Sequence, residues 1–380
     1  MKILWIAPIK HPKTMGHPAP WIEELANNIS QHIELTILGH SAQNHNMVEI
    51  FDEGRLTKVF LKTLRPKLDV LTLKQFKIAA FKKWLNQNAL SFDLIHIHGN
   101  EHQFEVACRS IELPKVLSVQ GIISECLKYY RPEGFQLIGW KISAYYEKKY
   151  YDKIHNYSCR THWDQKIVKQ NNPNARVFKI WETIRKDFFI REPLSKGDNI
   201  LFIGGKQKIK GIDYALQAYS IIKEEINGKL LIGGSASKTN ILQLIQAHRL
   251  NIDIDNDIEI LGFLDVQGLI QHAKRSFCFL HPTLIDNSPN SVCEAQVMGL
   301  PVVATDVGGV ASLIENNETG ILTNHDINNI SEKIIFLYKN NELWQRISNR
   351  SREVSRERHD PDRIVNQTIK MYKQILSIDA

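Results

Sequence analysis

Hydrophobic and polar positions follow one plan that is repeated in the two halves of the chain. The first half opens on the apolar run 3–7, and the second opens on the run 199–203, which two glycines follow. Short continuous apolar runs that alternate with helical periodicity are typical of parallel strands joined by crossover helices. The pattern therefore predicts α/β structure in both halves.

The second half shows this plan more clearly. The predicted strands are 200–203, 229–232, 258–261, 277–280 and 302–304. The predicted helices between them are 213–225, 240–248, 268–273 and 291–298. This order predicts a doubly wound α/β domain. In the first half, residues 94–98 and 116–119 have the pattern of buried strands.

The chain of 380 residues is long enough for two domains. Residues 192–198 are polar and include Pro193 and Gly197, which favours a linker there. We therefore expect domains at 1–192 and 193–358. The last segment, 359–380, is predicted to hold a helix that returns to the N-terminal domain.

The cysteines and the lengths of the apolar runs indicate the cellular compartment of the protein. The five cysteines form no CxxC pair, so neither a disulfide framework nor a zinc site is indicated, and a reducing compartment fits. No apolar run is long enough to span a bilayer, and the N-terminus lacks the features of a cleaved signal. These features predict a cytoplasmic protein.

Charge is unevenly distributed. Residues 1–195 carry 28 Lys and Arg against 19 Asp and Glu, a net +9, while the remainder carries 20 against 22, a net −2. A basic half favours an anionic partner, such as phosphate groups or the inner face of a membrane, although a solvated surface is the alternative. Basic and aromatic residues are interleaved in 55–83 and 128–153, which fits either peripheral membrane contact or ordinary helices. No nucleic-acid partner is expected.

The segment 281–305 carries the most specific chemistry. A strand ends near residue 280, a polar loop follows, and a helix begins at Asn290 or Ser291, both favourable N-cap residues. Gly299 suits the end of that helix. A helix N-terminus after a strand binds anions through its free amides and its dipole. Glu294, one turn into the helix, is placed to accept hydrogen bonds from ribose hydroxyls.

This segment resembles the signature of family 4 glycosyltransferases. Asp286 and Glu294 are separated by seven residues, and the run 299–303 reads Gly-Leu-Pro-Val-Val. The resemblance implies the GT-B fold, an α/β architecture of two Rossmann-like doubly wound domains that face a central cleft. It also implies a retaining glycosyltransferase that moves a sugar from a nucleoside-diphosphate sugar to a saccharide or lipid-linked saccharide, as in surface polysaccharide biosynthesis.

The resemblance also assigns site residues. The catalytic residues would be Lys206, Lys210 and Asp286. The donor-binding residues would be Glu294, Ser288, Asn290, Ser291, Gly16 and the loop Gly262, Phe263 and Leu264 beside the nucleobase. The acceptor and cleft residues would be His98, Gln120 and Gly121. Two positions depart from the family: Asp286 stands where Glu is usual, and Gln120 stands where His is common.

The implied mechanism needs neither a metal nor a cofactor. The lysines and the amides of Asn290 and Ser291 would stabilise the charge that develops on the leaving nucleoside diphosphate. His96, His98 and His102 offer an alternative metal site, but they lack a second set of acidic ligands. No metal is expected.

Other functions remain open at this stage. A sugar-nucleotide epimerase shares the architecture, and so does a phosphorylase, although phosphorylases are usually far longer. A module that binds a nucleotide sugar without transferring it would tolerate the departures at Asp286 and Gln120. A nicotinamide dehydrogenase is disfavoured, because no G-x-G-x-x-G follows the first strand.

Overall fold

The computed structural model describes residues 1–12 and 19–378. The chain divides into two compact units. One unit consists of Met1–Thr183 with His359–Ala380, and the other is Ile184–Arg358.

The first unit is built on an eight-stranded sheet. Its strands are β1 (Lys2–Ile6), β2 (Glu34–Ser41), β3 (Val48–Asp52), β4 (Leu56–Lys62), β5 (Leu94–His98), β6 (Lys115–Ser118), β7 (Asn156–Cys159) and β8 (Arg176–Lys179). Their order is β3-β4-β2-β1-β5-β6-β7-β8, in which β3 pairs antiparallel with β4 and the other neighbours pair parallel. Its helices are α1 (Pro20–Ile29), α2 (Pro66–Leu71), α3 (Gln75–Asn88), α4 (Phe104–Ala107), α5 (Ile123–Tyr129), α6 (Gly134–Tyr150) and α7 (His162–Asn171).

Strand β1 explains why the opening run is apolar throughout. Ile3 and Trp5 belong to one buried cluster, whereas Leu4 and Ile6 belong to another. Successive side chains of a strand point to opposite faces of the sheet. Both faces of the sheet are covered at this central strand, so the side chains that point to either face are apolar.

The second unit is built on a six-stranded parallel sheet. Its strands are β9 (Asn199–Ile203), β10 (Leu230–Gly233), β11 (Ile258–Gly262), β12 (Ser276–His281), β13 (Val302–Thr305) and β14 (Ile321–Thr323). Their order is β11-β10-β9-β12-β13-β14. Its helices are α8 (Ile212–Ile222), α9 (Lys238–His248), α10 (Val266–Lys274), α11 (Asn290–Met298), α12 (Ile327–Lys339) and α13 (Asn341–Arg358). The prediction of two doubly wound α/β domains is confirmed.

The division between the units falls before residue 184 rather than at 193. Ile184 and Phe188 are buried, and the Arg185 guanidinium lies 2.9 Å from Glu294 Oε1 within the second unit. The stretch after Thr183 is therefore already packed against the second unit, although its polar composition further along indicated a later linker.

The last helix, α14 (Pro361–Leu376), packs on α1 in the first unit. Its Tyr372 hydroxyl accepts a hydrogen bond of 2.9 Å from Trp5 Nε1 and lies 2.6 Å from His96 Nδ1. The Tyr372 hydroxyl can then donate its proton to His96. A buried hydrogen-bond network therefore joins helix α14 to strands β1 and β5.

Within residues 1–12 and 19–378, no helix is long and apolar enough to cross a membrane.

Candidate functional site

The site predicted from the sequence lies at the carboxyl edge of the second sheet. Strand β9 has β10 on one side and β12 on the other, so the strand order reverses at the β9–β12 pair. Ligands of open α/β sheets bind in the crevice at such a switch point. The loops after β9 and β12 meet there, and Leu284 N and Thr283 Oγ1 each donate to the Ile209 carbonyl at 2.9 Å.

Gly211 permits this close approach. Its φ of +83° lies in the left-handed region, and a Cβ at this position would overlap the Pro282 carbonyl oxygen. Glycine is therefore required by both conformation and space. The turn Lys208–Lys210, which precedes Gly211, is held against the β12 loop as a result.

Lys210 and Asp286 form the central ion pair of the site. Lys210 Nζ donates to Asp286 Oδ2 at 2.6 Å, and His281 Nε2 lies 3.5 Å from the same oxygen. Burial disfavours the charged form of Asp286, but the charge of Lys210 and the contact with His281 outweigh it and hold the pKa of Asp286 below its usual value. Burial lowers the pKa of His281 despite the neighbouring carboxylate. Asp286 is therefore charged and His281 neutral near pH 7.

The backbone of Asp286 is fixed by the two glycines that follow β13. Gly309 N donates to the Asp286 carbonyl at 2.9 Å. Gly308 has φ +57°, and a Cβ there would overlap the same carbonyl oxygen. The Gly-Gly pair thus lets another chain segment lie directly against the loop that carries the acidic residue.

Helix α11 begins at Asn290, as predicted, but its N-cap is Pro289. The prediction that Asn290 or Ser291 caps the helix is wrong, because the Pro289 carbonyl takes the first helical bonds from Val292 (3.0 Å) and Cys293 (3.2 Å). The amides of Asn290 and Ser291 are consequently the terminal donors of the helix. Gly299 ends it with φ +88°, as predicted.

Glu294 is held by a residue that sequence reasoning missed. Arg185 Nη2 donates to Glu294 Oε1 at 2.9 Å, and its guanidinium lies over the Phe188 ring at 4.8 Å. Burial raises the pKa of Glu294, and Arg185 opposes that rise. No local signal marks Arg185, because its partner is 109 positions away.

The remaining donor residues lie around the same edge. Gly234 N donates to the Gly262 carbonyl at 2.7 Å, which brings the ends of β10 and β11 together. Phe263, the next residue, is 85% exposed. Lys206 is exposed in the loop after β9, and Ser288 is buried before α11. Gly16 lies outside the residues that the structure describes.

The predicted residues of the first unit lie at the ends of β5 and β6. His98 is buried and stacks on His96 at 4.0 Å, and burial, with Arg160, lowers the pKa of His98 to about 3. The Gln120 carbonyl accepts from Arg160 Nη2 at 2.8 Å, and Gly121 N donates to Glu101 Oε1 at 2.6 Å.

Of the two histidines of β5, His96 is fully hydrogen-bonded, whereas His98 Nε2 is buried without a hydrogen-bond partner among residues 1–12 and 19–378. Both ring nitrogens of His96 have partners, Tyr372 and Ser118, each at 2.6 Å. In the part of the chain that the structure describes, no group of three or more His, Cys, Asp or Glu side chains is arranged to hold a metal ion.

The fold and this site define a two-domain α/β protein of the doubly wound class, with a cationic side chain and a helix N-terminus at the switch point of its second sheet. Residues 197–340 match the family model described as Glycosyl transferases group 1. The predicted resemblance to this class of glycosyltransferases is therefore confirmed.

Individual relatives agree with that family. Over 195 residues the chain is 28% identical to N-acetyl-alpha-D-glucosaminyl L-malate synthase of Bacillus anthracis, covering 49% of this chain and 48% of the relative. It is 27% identical to the capsular polysaccharide biosynthesis glycosyltransferase CapM of Staphylococcus aureus, over 46% of each chain. The matched segments thus span about half the length of these relatives.

Similarity of fold extends over nearly the whole chain. The structure of Anabaena Alr3699/HepE in complex with UDP and glucose aligns with a TM-score of 0.74, 15% identity, and coverage of 98% of this chain and 100% of the other. The fold is therefore shared beyond the segments that match these two relatives in sequence.

Proposed function

We propose that the protein is a retaining glycosyltransferase that transfers a sugar from a nucleoside-diphosphate sugar to a saccharide or lipid-linked saccharide in surface polysaccharide synthesis. The observation that carries the proposal is the Lys210–Asp286 pair at the switch point, beside the N-terminus of the helix that carries Glu294. The UDP bound to Alr3699/HepE and the role of CapM in capsular polysaccharide synthesis support the donor and acceptor classes.

Lys210 would supply the main electrostatic stabilisation. Breaking the bond between sugar and diphosphate leaves negative charge on the diphosphate, and a preorganised ammonium stabilises that charge most in the transition state. Lys206 and the amides of Asn290 and Ser291 would add further donors. Asp286 orients Lys210 in the free protein and would contact the donor sugar in the complex.

Glu294 would bind the donor ribose. A carboxylate accepts two hydrogen bonds from vicinal hydroxyls, and Arg185 limits the cost of keeping that carboxylate charged while it is buried. The exposed Phe263 would lie beside the nucleobase. Donor binding and charge stabilisation are thus assigned to different side chains. Replacing Glu294 and replacing Lys210 should therefore affect different kinetic constants.

The chemistry requires no metal, because lysines and backbone amides can do what a divalent cation does at the diphosphate. The transfer would take place in the cytoplasm, with the basic first half providing peripheral contact with the membrane. His98, Gln120 and Gly121 would belong to the acceptor side of the reaction.

The first test is thermal unfolding of the full chain with UDP, GDP, ADP, dTDP or NAD. At about one hundred times its dissociation constant, a ligand adds about 2.7 kcal/mol, which moves the midpoint by several degrees. A shift with one nucleoside diphosphate that is lost in Glu294→Ala is the expected result. No shift with any diphosphate, or a shift with NAD alone, would overturn the proposal.

A second assay separates transfer from the alternatives. The protein is incubated with the matching nucleotide sugar, with and without candidate acceptors, and the products are resolved by chromatography. Product that requires an acceptor supports transfer. An isomerised sugar nucleotide formed without acceptor would instead identify an epimerase, and binding with neither transfer nor slow donor hydrolysis would identify a non-catalytic module.

A further inference from the structure

A cavity of about 640 Å³ lies within the first unit. Pro8 and Ile9 line it after β1, and Thr63 and Leu64 line it after β4, so it opens at the carboxyl ends of parallel strands. Helices α2, α3 and α6 supply other walls. Both the volume and the position are those of ligand sites in α/β proteins.

The cavity is cationic. Among the described residues, Lys67, Lys74 and Lys77 line it, against one lining carboxylate, Asp69. Lys77 is only 6% exposed, and its Nζ lies 3.8 Å from Asp69 Oδ2, beyond hydrogen-bond distance. Since a buried ammonium is costly unless it is fully paired, the site favours an additional anion.

The other titratable groups do not cancel this charge. Burial, with Lys77, lowers the pKa of the lining His40 to about 3, and burial chiefly lowers the pKa of His102 as well. Burial raises the pKa of the nearby Glu105 to about 8. Burial also lowers the pKa of Lys77, against the opposing effect of Asp69 and Glu105. Burial lowers the pKa of Lys74 only to about 8, so Lys74 stays charged at pH 7. The histidines and the Glu105 carboxyl group are largely neutral at that pH, so they do not cancel the positive charge that Lys74 contributes.

Lys74 is held in place by an unusual backbone. Leu73 and Lys74 have φ of +50° and +63°, a conformation that residues with side chains rarely adopt. The Lys74 ammonium donates to Ser143 Oγ of α6 at 2.6 Å. Strained residues of this kind cluster at ligand sites, where the surrounding structure fixes them.

Apolar side chains on α2 and α6 accompany the lysines. On α2, Leu68 and Leu71 are exposed, and on α6, which packs against α2, Phe135 and Ile138 are exposed. Phe135 also lines the cavity, together with Val70 and Trp140. Of the four exposed side chains, Phe135 is the one that lines the cavity, so an apolar wall adjoins the lysines.

We propose that this cavity binds the phosphate or pyrophosphate head of a lipid-linked acceptor, whose apolar chain leaves along the wall formed by Val70, Phe135 and Trp140. Charge complementarity selects the head, and the apolar walls select the chain. The assignment of this amphiphile as the acceptor rests on the proposed function, whereas its binding does not.

Calorimetric titration of the full chain with decyl phosphate, below its micelle concentration, tests the proposal. Inorganic phosphate supplies the head alone, and decyl glucoside supplies the same chain without charge. We expect decyl phosphate to bind more tightly than either. Lys74→Gln should weaken it at least about tenfold, the usual effect of losing a hydrogen bond to a charged group. The exposed Lys82→Gln on α3 is the matched control and should leave binding unchanged.

A second variant tests recognition of the alkyl chain of the ligand. Phe135→Gln, at a position that is 45% exposed and therefore tolerant of substitution, removes the apolar contact without adding a charge, so it should weaken binding of decyl phosphate but not of inorganic phosphate. Inorganic phosphate that binds as tightly as decyl phosphate would overturn the lipid assignment. Decyl glucoside that binds as tightly would overturn the anionic head, and no binding by any probe would overturn the site.

The outcome is separable from that of the proposed function. Lys74→Gln should keep the wild-type thermal shift with a nucleoside diphosphate, since the predicted donor residues that the structure describes lie in the second unit. If the wild-type protein binds decyl phosphate but no nucleoside diphosphate, the proposed glycosyl transfer fails and the lipid-phosphate site stands.

Discussion

Lys210 Nζ lies 2.6 Å from Asp286 Oδ2, although the two residues are 76 positions apart in the chain. Each follows a strand that borders the switch point of the second sheet. The Lys210 side chain is one-third exposed and Asp286 is mostly buried, so the ammonium is available to a ligand while the carboxylate anchors it. An incoming diphosphate would compete with Asp286 for the same cation.

Replacement of Lys210 tests that role. Lys210→Ala should lower kcat by about a hundredfold or more, because one preorganised donor to the leaving group is lost. Lys208→Ala, which removes an exposed lysine from the same turn, is the control and should retain activity. Steady-state rates with saturating donor make the comparison. Near-normal turnover in Lys210→Ala would remove this lysine from the mechanism.

Glu294 should contribute to donor binding rather than to the chemical step. Glu294→Gln keeps the side-chain volume but loses the charge that accepts the ribose hydrogen bonds, so the donor KM should rise about tenfold or more with little change in kcat. Arg191→Ala, at a side chain that is 97% exposed, controls for loss of a charge in the second unit. A large fall in kcat at an unchanged donor KM would contradict the assignment.

Gly308 should be needed for donor binding because it has no side chain. Gly308→Ala introduces both left-handed strain, about 1–2 kcal/mol, and an overlap with the Asp286 carbonyl that shifts the acidic loop. Gly54 has φ +82°, and no atom lies within 4 Å of the place that a Cβ would take, so Gly54→Ala carries the strain alone. Thermal shifts with the matching nucleoside diphosphate should be reduced in Gly308→Ala and kept in Gly54→Ala. Equal shifts in both variants would show that the overlap is relieved without moving the loop.

Glu105 should make stability depend on pH. Burial raises its pKa to about 8 in the folded protein, so the folded state holds a proton that the unfolded state releases near the ordinary glutamate value of 4.5. The stability contributed by protonated Glu105 is complete below pH 4.5 and is lost as the pH rises towards 8, by up to about 1.4 kcal/mol per pH unit.

Denaturant unfolding from about pH 5 to about pH 8 measures this dependence. Glu105→Gln keeps the group neutral, so its free energy of unfolding should fall less steeply than that of the wild type. Glu112→Gln, an exposed carboxyl in the same unit, should follow the wild-type curve. Parallel curves for the wild type and Glu105→Gln would contradict the raised pKa.

Local pattern predicted most of the second unit. The five apolar runs correspond to β9–β13, and the intervening helical patterns correspond to α8–α11, including the start of α11 at Asn290 and its end at Gly299. These features depend on periodicity and on capping within a few residues, which the sequence shows directly. The Pro289 cap was missed because its carbonyl, and not a side chain, takes the first helical bonds.

The sequence by itself determined the α/β class, the strand–loop–helix segment with Asp286 and Glu294, and the family resemblance, since each is a property of neighbouring residues. Only the tertiary structure decided that Lys210 pairs with Asp286, that Arg185 holds Glu294, and that residues after β1, after β4 and on α6 line one cavity. Those relationships join residues that are far apart in the chain. They arise from strand order and helix packing, which place distant side chains together without leaving any local pattern.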